Sequence, residues 1–177
     1  MKYVALLRGV NVGGKNSLPM KELASMFDKA GCAEVRTYIQ SGNVVFAAPA
    51  PLIKTLAAKI AGQIEKRFGF RSPVVLRSLD QLRLAIRDNP FVKPDVDPKA
   101  LHIYFLADEP GPQAIATLDP NRSSPDAFLV RGCHIYLHMP NGMGRTKLTN
   151  AYFDSKLSTV STARNWSTVH KLLEMMS

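Results

Sequence analysis

The sequence predicts an α+β protein of two tandem split-βαβ halves, antiparallel-rich sheets each backed by helices, and three observations carry that reading. Residues up to Arg77 show apolar periods of 2 and 3.6 in the order β-α-β-β-α-β. A stretch with Pro90, Pro94 and Pro98, interleaved with Asp95 and Asp97, then breaks the pattern. Beyond it the chain starts again. Phe128-Leu129-Val130-Arg131-Gly132-Cys133-His134-Ile135-Tyr136 repeats the aromatic, strand, turn, strand, aromatic layout of Tyr38-Ile39-Gln40-Ser41-Gly42-Asn43-Val44-Val45-Phe46, which points to an internal duplication. The expected division is a first half over 1–90, a linker over 91–99 and a second half over 100–177.

Taken in order, Lys2 to Arg8 reads as a mostly buried strand. Met20, Leu23, Ala24 and Phe27 make one apolar helix face, with Pro19 suited to the first turn and Gly31 to the stop. Val35 to Gln40 and Val44 to Ala47 flank Ser41-Gly42-Asn43 as a hairpin. Pro51 opens a longer helix with Leu52, Leu56, Ile60 and Ile64 spaced by fours and Gly69 past its end. Pro73 to Arg77 completes the first ferredoxin-like pattern, and Ser78 with Gln81 forms a capping box for a short helix through Ile86. In the second half, Leu101 to Ala107 is a strand and Pro112 to Leu118 a weak helix. Phe128 to Val130 and His134 to Leu137 form a hairpin, and two helices, Asn150 to Leu157 and Thr162 to Met175, finish the chain.

Hydrophobic content of 46% and charged content of 21% over 177 residues describe an ordinary globular chain. Apolar runs are too short to cross a bilayer, and Arg8 interrupts the opening run before it could serve as a signal peptide, so the expectation is a cytoplasmic protein with no membrane partner. Cys32 and Cys133 lie outside any metal-binding spacing and read as free thiols. A net charge of +9, from 23 Lys and Arg against 14 Asp and Glu, favours polyanions or phosphorylated ligands.

The stretch Arg8-Gly9-Val10-Asn11-Val12-Gly13-Gly14-Lys15-Asn16-Ser17 leaves the first strand with three glycines, two asparagines, an arginine and a lysine, a composition suited to close approach of an anion. Gly9-x-x-x-x-Gly14-Lys15 has phosphate-loop spacing, but Asn16 stands where a magnesium-binding Ser or Thr belongs and Pro19 delays the helix. A tight turn built from glycines is the plain alternative. Asn141-Gly142-Met143-Gly144-Arg145-Thr146-Lys147-Leu148-Thr149-Asn150 combines flexible amides with two cations, either an anion receptor or a solvated loop before a capped helix. Thr162 as an N-cap places Arg164 in a first helical turn, where a bound anion would relieve its repulsion with the helix dipole; an arginine turned out to solvent is the plain alternative. Trp166 shares an apolar face with Val169 and Leu173 and reads as core.

Gln40, Ser41 and Asn43 form a polar turn, expected at the end of the sheet opposite the loop after the first strand. His102, His134, His138 and His170 make no metal set, because His134 and His138 on one strand stand about 13 Å apart. No metal or other cofactor is expected, and no general base stands out.

Three of these segments, Leu6 to Gly14, Thr37 to Phe46 and Thr162 to Val169, resemble the bacterial family called domain of unknown function 1697, with Asn89-Pro90-Phe91 and Lys171-Leu172 also fitting. Asp154-Ser155-Lys156-Leu157 fits the family's Glu-Lys-x-Leu segment more loosely, and position 15 is not a fixed lysine there. The resemblance implies a two-layer α+β fold. It also marks Arg8, Asn11, Gln40, Ser41, Asn43, Arg164 and Asn165 as motif residues without an assigned role.

The expected function is a binding module for a phosphate-bearing or other anionic small molecule, such as a nucleotide. Its candidate ligand residues are Arg8, Asn11, Gly13, Gly14, Lys15, Asn16, Gln40, Ser41, Asn43, Arg145, Thr146, Lys147, Arg164 and Asn165. Nucleic acid is the weaker version, because aromatic and basic residues are not interleaved. The alternatives are a small enzyme acting on an anionic metabolite and a protein–protein interaction or structural module.

Overall fold

A computed structural model describes all residues, Met1–Ser177. The chain divides into two compact units, Met1–Arg83 with Lys171–Ser177, and Leu84–His170.

In the first unit, strand β1 (Lys2–Leu7) is followed by helix α1 (Met20–Lys29), strands β2 (Ala33–Tyr38) and β3 (Asn43–Ala47), helix α2 (Ala50–Phe68) and strand β4 (Val74–Ser78). Helix α3 (Leu79–Arg87) comes next. The sheet order is β2-β3-β1-β4, with every neighbouring pair antiparallel, as the split-βαβ pattern requires. Alternation along the strands sends Tyr3, Ala5, Leu7, Val44 and Phe46 to one face, where they pack with Leu23 and Phe27 of α1 and Leu56, Ile60 and Ile64 of α2. The opposite face, Val4, Leu6, Val45 and Val75, is buried as well.

The helix ends follow their sequence signals. Gly69, at φ 77°, closes α2 by donating its N–H to the Glu65 carbonyl. Ser78 and Gln81 form the reciprocal capping box, Gln81 N to Ser78 Oγ at 3.2 Å and Ser78 N to Gln81 Oε1 at 2.9 Å. The register of β2 against β3 shifts between Ala33 and Arg36, a bulge at which Glu34 takes φ 52°.

The second half of the chain repeats the order. A 3-10 turn, Pro98–Ala100, leads into β5 (Leu101–Leu106), α4 (Pro112–Ala116), β6 (Ala127–Arg131), β7 (His134–His138), α5 (Asn150–Leu157), β8 (Ser161–Asn165) and α6 (Trp166–Met176). Its sheet order, β6-β7-β5-β8, matches the first. Tyr104, Leu106, Ile135 and Leu137 pack with Tyr152, Phe153 and Leu157, and Tyr104 meets the Phe153 ring edge-on. The Tyr104 hydroxyl donates to the Leu148 carbonyl at 2.9 Å. The two halves are alike down to the element after the last strand, since α3 and α6 occupy the same place in the order.

One element differs from the sequence reading. Ser161–Asn165 is a strand, laddered antiparallel to β5 from Leu106↔Ser161 to His102↔Asn165, and the helix starts only at Trp166. Thr162 therefore caps nothing, and Arg164 lies in no helical turn. Asn165 holds the capping position instead, its Oδ1 accepting the Thr168 N–H at 2.8 Å. The buried face of α6 is Val169, Leu172 and Met176, while Trp166 is half-buried rather than core.

Candidate functional site

In the first unit, the Arg8–Ser17 loop and the Gln40–Asn43 turn lie at the same end of the sheet, not at opposite ends as the sequence reading had it. The reason is direction: β3 runs antiparallel to β1, so the start of β3 stands beside the end of β1, with Leu6 opposite Asn43. Leu7 N–H donates to the Gly42 carbonyl at 2.9 Å, and Asn11 Nδ2 donates to the Gln40 carbonyl at 2.8 Å. The start of β4 joins them. Arg8 N–H donates to the Pro73 carbonyl, and the Ser72 hydroxyl donates to the Arg8 carbonyl. Nine of the predicted residues thus gather here: Arg8, Asn11, Gly13, Gly14, Lys15, Asn16, Gln40, Ser41 and Asn43.

The asparagines of this cluster serve the backbone. Asn11 also donates to the Leu18 carbonyl and accepts the Leu18 N–H at 2.7 Å, and Asn16 Nδ2 donates to the Gly9 carbonyl at 2.8 Å. Asn43, fully buried, donates to the Tyr38 carbonyl and to Ser41 Oγ. Gly13 (φ 57°) and Gly14 (φ 73°) are the central pair of a tight hairpin turn whose flanks, Val12 and Lys15, form an antiparallel bridge. Lys15 N–H donates to the Val12 carbonyl and Asn11 N–H to the Asn16 carbonyl. These amides stay within the ribbon, and α1 begins only at Met20, so the phosphate-loop spacing produces an exposed hairpin tip rather than a cradle of convergent N–H groups.

Arg145, Thr146, Lys147, Arg164 and Asn165 belong to the second unit. The loop carrying the first three follows β7 and is fixed by the segment around Arg122. Lys147 N–H donates to Ser123 Oγ at 2.9 Å, Arg122 Nε donates to the Lys147 carbonyl at 2.9 Å, and Thr146 Oγ1 accepts the Leu148 N–H. The Arg122 guanidinium lies over the Tyr152 ring, 4.0 Å from its centre. The Arg145 and Lys147 side chains are exposed.

Arg164 is 7% exposed and donates through Nη1 to Thr162 Oγ1 at 2.9 Å and to the Ala163 carbonyl at 2.7 Å. Burial lowers the guanidinium to about 10, which leaves it charged at neutral pH. Its counterpart in the first half is Arg77, equally buried, which donates to the Leu76 carbonyl from the equivalent position on β4. Sequence reasoning missed Arg77, because the repeat is visible only once β4 and β8 are matched through their registers to β1 and β5.

Sequence reasoning also missed a cavity of about 460 Å³ at the start of β5, lined by Pro98, Lys99, His102, Asn165, Trp166, Ser167 and His170. The β5–β8 register puts His102 directly opposite Asn165. His102 is 8% exposed, and burial pushes its imidazole below the ordinary value, opposed by the Ala100 carbonyl. Trp166 and His170 meet edge to face, with ring centres 4.6 Å apart.

No group of three or more His, Cys, Asp or Glu side chains is placed to hold a metal ion, and no helix is long and apolar enough to cross a membrane. Both cysteines are free thiols, and burial together with nearby Asp28 raises the Cys32 thiol above its usual range.

The fold has a solved counterpart. The conserved bacterial protein SP0830 from Streptococcus pneumoniae matches with a TM-score of 0.68 at 23% identity, over 99% of this chain and 98% of its own. No curated protein matches the chain. The sequence model of a protein family of unknown function, DUF1697, matches residues 1–136, which takes in the first half together with β5, β6 and part of β7. On that match, the chain belongs to the DUF1697 family.

Proposed function

We infer that this protein is a binding module for a phosphate-bearing or other anionic ligand, received in the second unit by the loop that carries Arg145 and Lys147. One observation supports the reading above others. Arg122, Arg145 and Lys147 are cations on segments locked together by the Ser123 and Arg122 hydrogen bonds, and no carboxylate pairs with any of them. A surface cation normally tolerates water as its only partner, but Arg145 and Lys147 stand two residues apart on a loop whose backbone is tied to the segment of Arg122, so the backbone loses little entropy when an anion binds. The net charge of +9 adds a long-range attraction for the same class of ligand. A nucleotide is the small-molecule version and nucleic acid the extended one.

Thermal-shift and calorimetric titration with inorganic phosphate, nucleoside phosphates and a short oligonucleotide tests this. A phosphorylated ligand is expected to raise the melting temperature, and the Arg145→Ala, Lys147→Ala double variant to weaken its binding by roughly tenfold or more. Affinity for the oligonucleotide that falls steeply with salt marks the extended version. Absence of any stabilisation at millimolar phosphate ligand, or binding indifferent to the double variant, refutes the reading.

A further inference from the structure

The cavity at the start of β5 is a second and separate feature of the same unit. We propose that it binds a small anion built on a planar aromatic ring, the ring lying against Trp166 and His170 and the anionic group meeting Lys99, the Asn165 amide and the first turn of α6. The site shares none of its cations with the Arg145 loop, so it stands or falls apart from the function proposed above.

Four observations converge. The lining holds no carboxylate, while Lys99 and the helix N-terminus supply positive charge. Asn165 Oδ1 is occupied by the Ser167 hydroxyl at 3.0 Å and by the Thr168 N–H at 2.8 Å, which fixes the amide and leaves Nδ2 as a donor with no protein partner. His102, more than nine-tenths buried, forms part of the cavity wall, and its Nδ1, sealed from solvent behind that wall, has no hydrogen-bond partner. Trp166 and His170, set edge to face, give a flat ligand an apolar corner to stack in. At about 460 Å³ the cavity is in the range of small-molecule sites, which run to roughly 300–1,000 Å³.

The first half provides an internal contrast. Matching the registers sets Tyr3 and Ser78 at the positions of His102 and Asn165. The helix that follows then has Leu79, Asp80 and Arg83 where α6 has Trp166, Ser167 and His170, and Asp80 pairs with Arg83. The corresponding corner thus has neither the aromatic pair nor a carboxylate-free wall. Only the second half has acquired both.

Trp166 is the single tryptophan of the chain, so tryptophan emission, excited selectively over the five tyrosines, reports on this cavity alone. The full chain is titrated with a nucleoside monophosphate, with benzoate as an aromatic carboxylate, with ribose 5-phosphate and with inorganic phosphate. A saturable change in Trp166 emission with either ring-bearing anion is expected, weakened roughly tenfold by Lys99→Ala, an exposed position where the fold is not at stake. The Arg145→Ala, Lys147→Ala double variant is expected to leave this titration unchanged. A response to the nucleotide but not to the carboxylate identifies a nucleotide site, and the reverse an aromatic-acid site. His102 ring nitrogen resonances, followed by NMR, are expected to shift in the same titration. Equal responses to inorganic phosphate and to the ring-bearing anions overturn the proposal. So does a flat emission with all four probes, or a response that Lys99→Ala leaves intact.

Discussion

The burial of His102 has a thermodynamic consequence that can be measured without any ligand. The unfolded chain takes up a proton at this imidazole near the ordinary value of 6.5, whereas the folded chain does so only at lower pH. Between those two values the unfolded state binds more protons, so unfolding free energy rises with pH there. The stability is complete above 6.5 and is lost as pH falls through the folded value. Urea midpoints of the wild type are expected to drop more steeply between about pH 7 and pH 5 than those of His102→Gln. Equal slopes would contradict the assigned burial effect. At this scale residue type was a partial guide. Asn11, Asn16 and Asn43 stood out in the sequence as polar groups in glycine-rich turns, yet local order could not tell that their amides satisfy Leu18, Gln40, Gly9 and Tyr38. The Asn11–Gln40 bond depends on antiparallel strands meeting end to start across 29 residues, whereas the other three close within single loops and depend on the exact path of the loop backbone.

Among the elements, the turn between β2 and β3 is the most tightly specified. Gly42 sits at φ +75°, and a Cβ there would stand 2.7 Å from the Leu7 Cβ, an atom tied to the backbone of the central strand. Gly42→Ala is therefore expected to cost about 2–4 kcal/mol from strain and overpacking together. Gly13, at φ +57°, has nothing within 4 Å of the same added atom, so Gly13→Ala should cost only about 1 kcal/mol. Denaturant melts of the two variants check the ranking, and similar losses would show that the close approach to Leu7 does not decide it. The hairpin and the capped helices were legible because their signals are local: a glycine at a turn, Ser78 three residues before Gln81. Strand β8 was not, because Ser161–Asn165 carries few apolar residues and runs directly into the helical period of Val169, Leu172 and Met176. What makes it a strand is the partner ladder on β5, which no window of sequence contains.

At the level of the whole chain, the order of elements in the first half and the repeated hairpin revealed the α+β duplication, since both rest on periodicity and turns. The equivalence of Arg77 and Arg164 required the registers. One feature of the partition is testable: Lys171–Ser177 groups with Met1–Arg83. Arg36 donates to the Met175 carbonyl, Lys2 Nζ to the Ser177 carbonyl at 3.2 Å, and Leu172 and Met176 are fully buried. Deleting Lys171–Ser177 is expected to cost about 3–6 kcal/mol, at roughly 1.5–3 for each of the two side chains. Hydrogen exchange should quicken in β1 to β4 more than in β5 to β8, and the opposite pattern would contradict the grouping. The bulge in β2 has a different reach. As the outermost strand of its sheet, β2 turns unpaired N–H and C=O groups outward, and the kink at Glu34 keeps them from forming a straight row. A foreign strand seeking to lengthen the sheet finds a bent, charged rim with Glu34 and Arg36 on it, so this margin is a poor template for fibre growth.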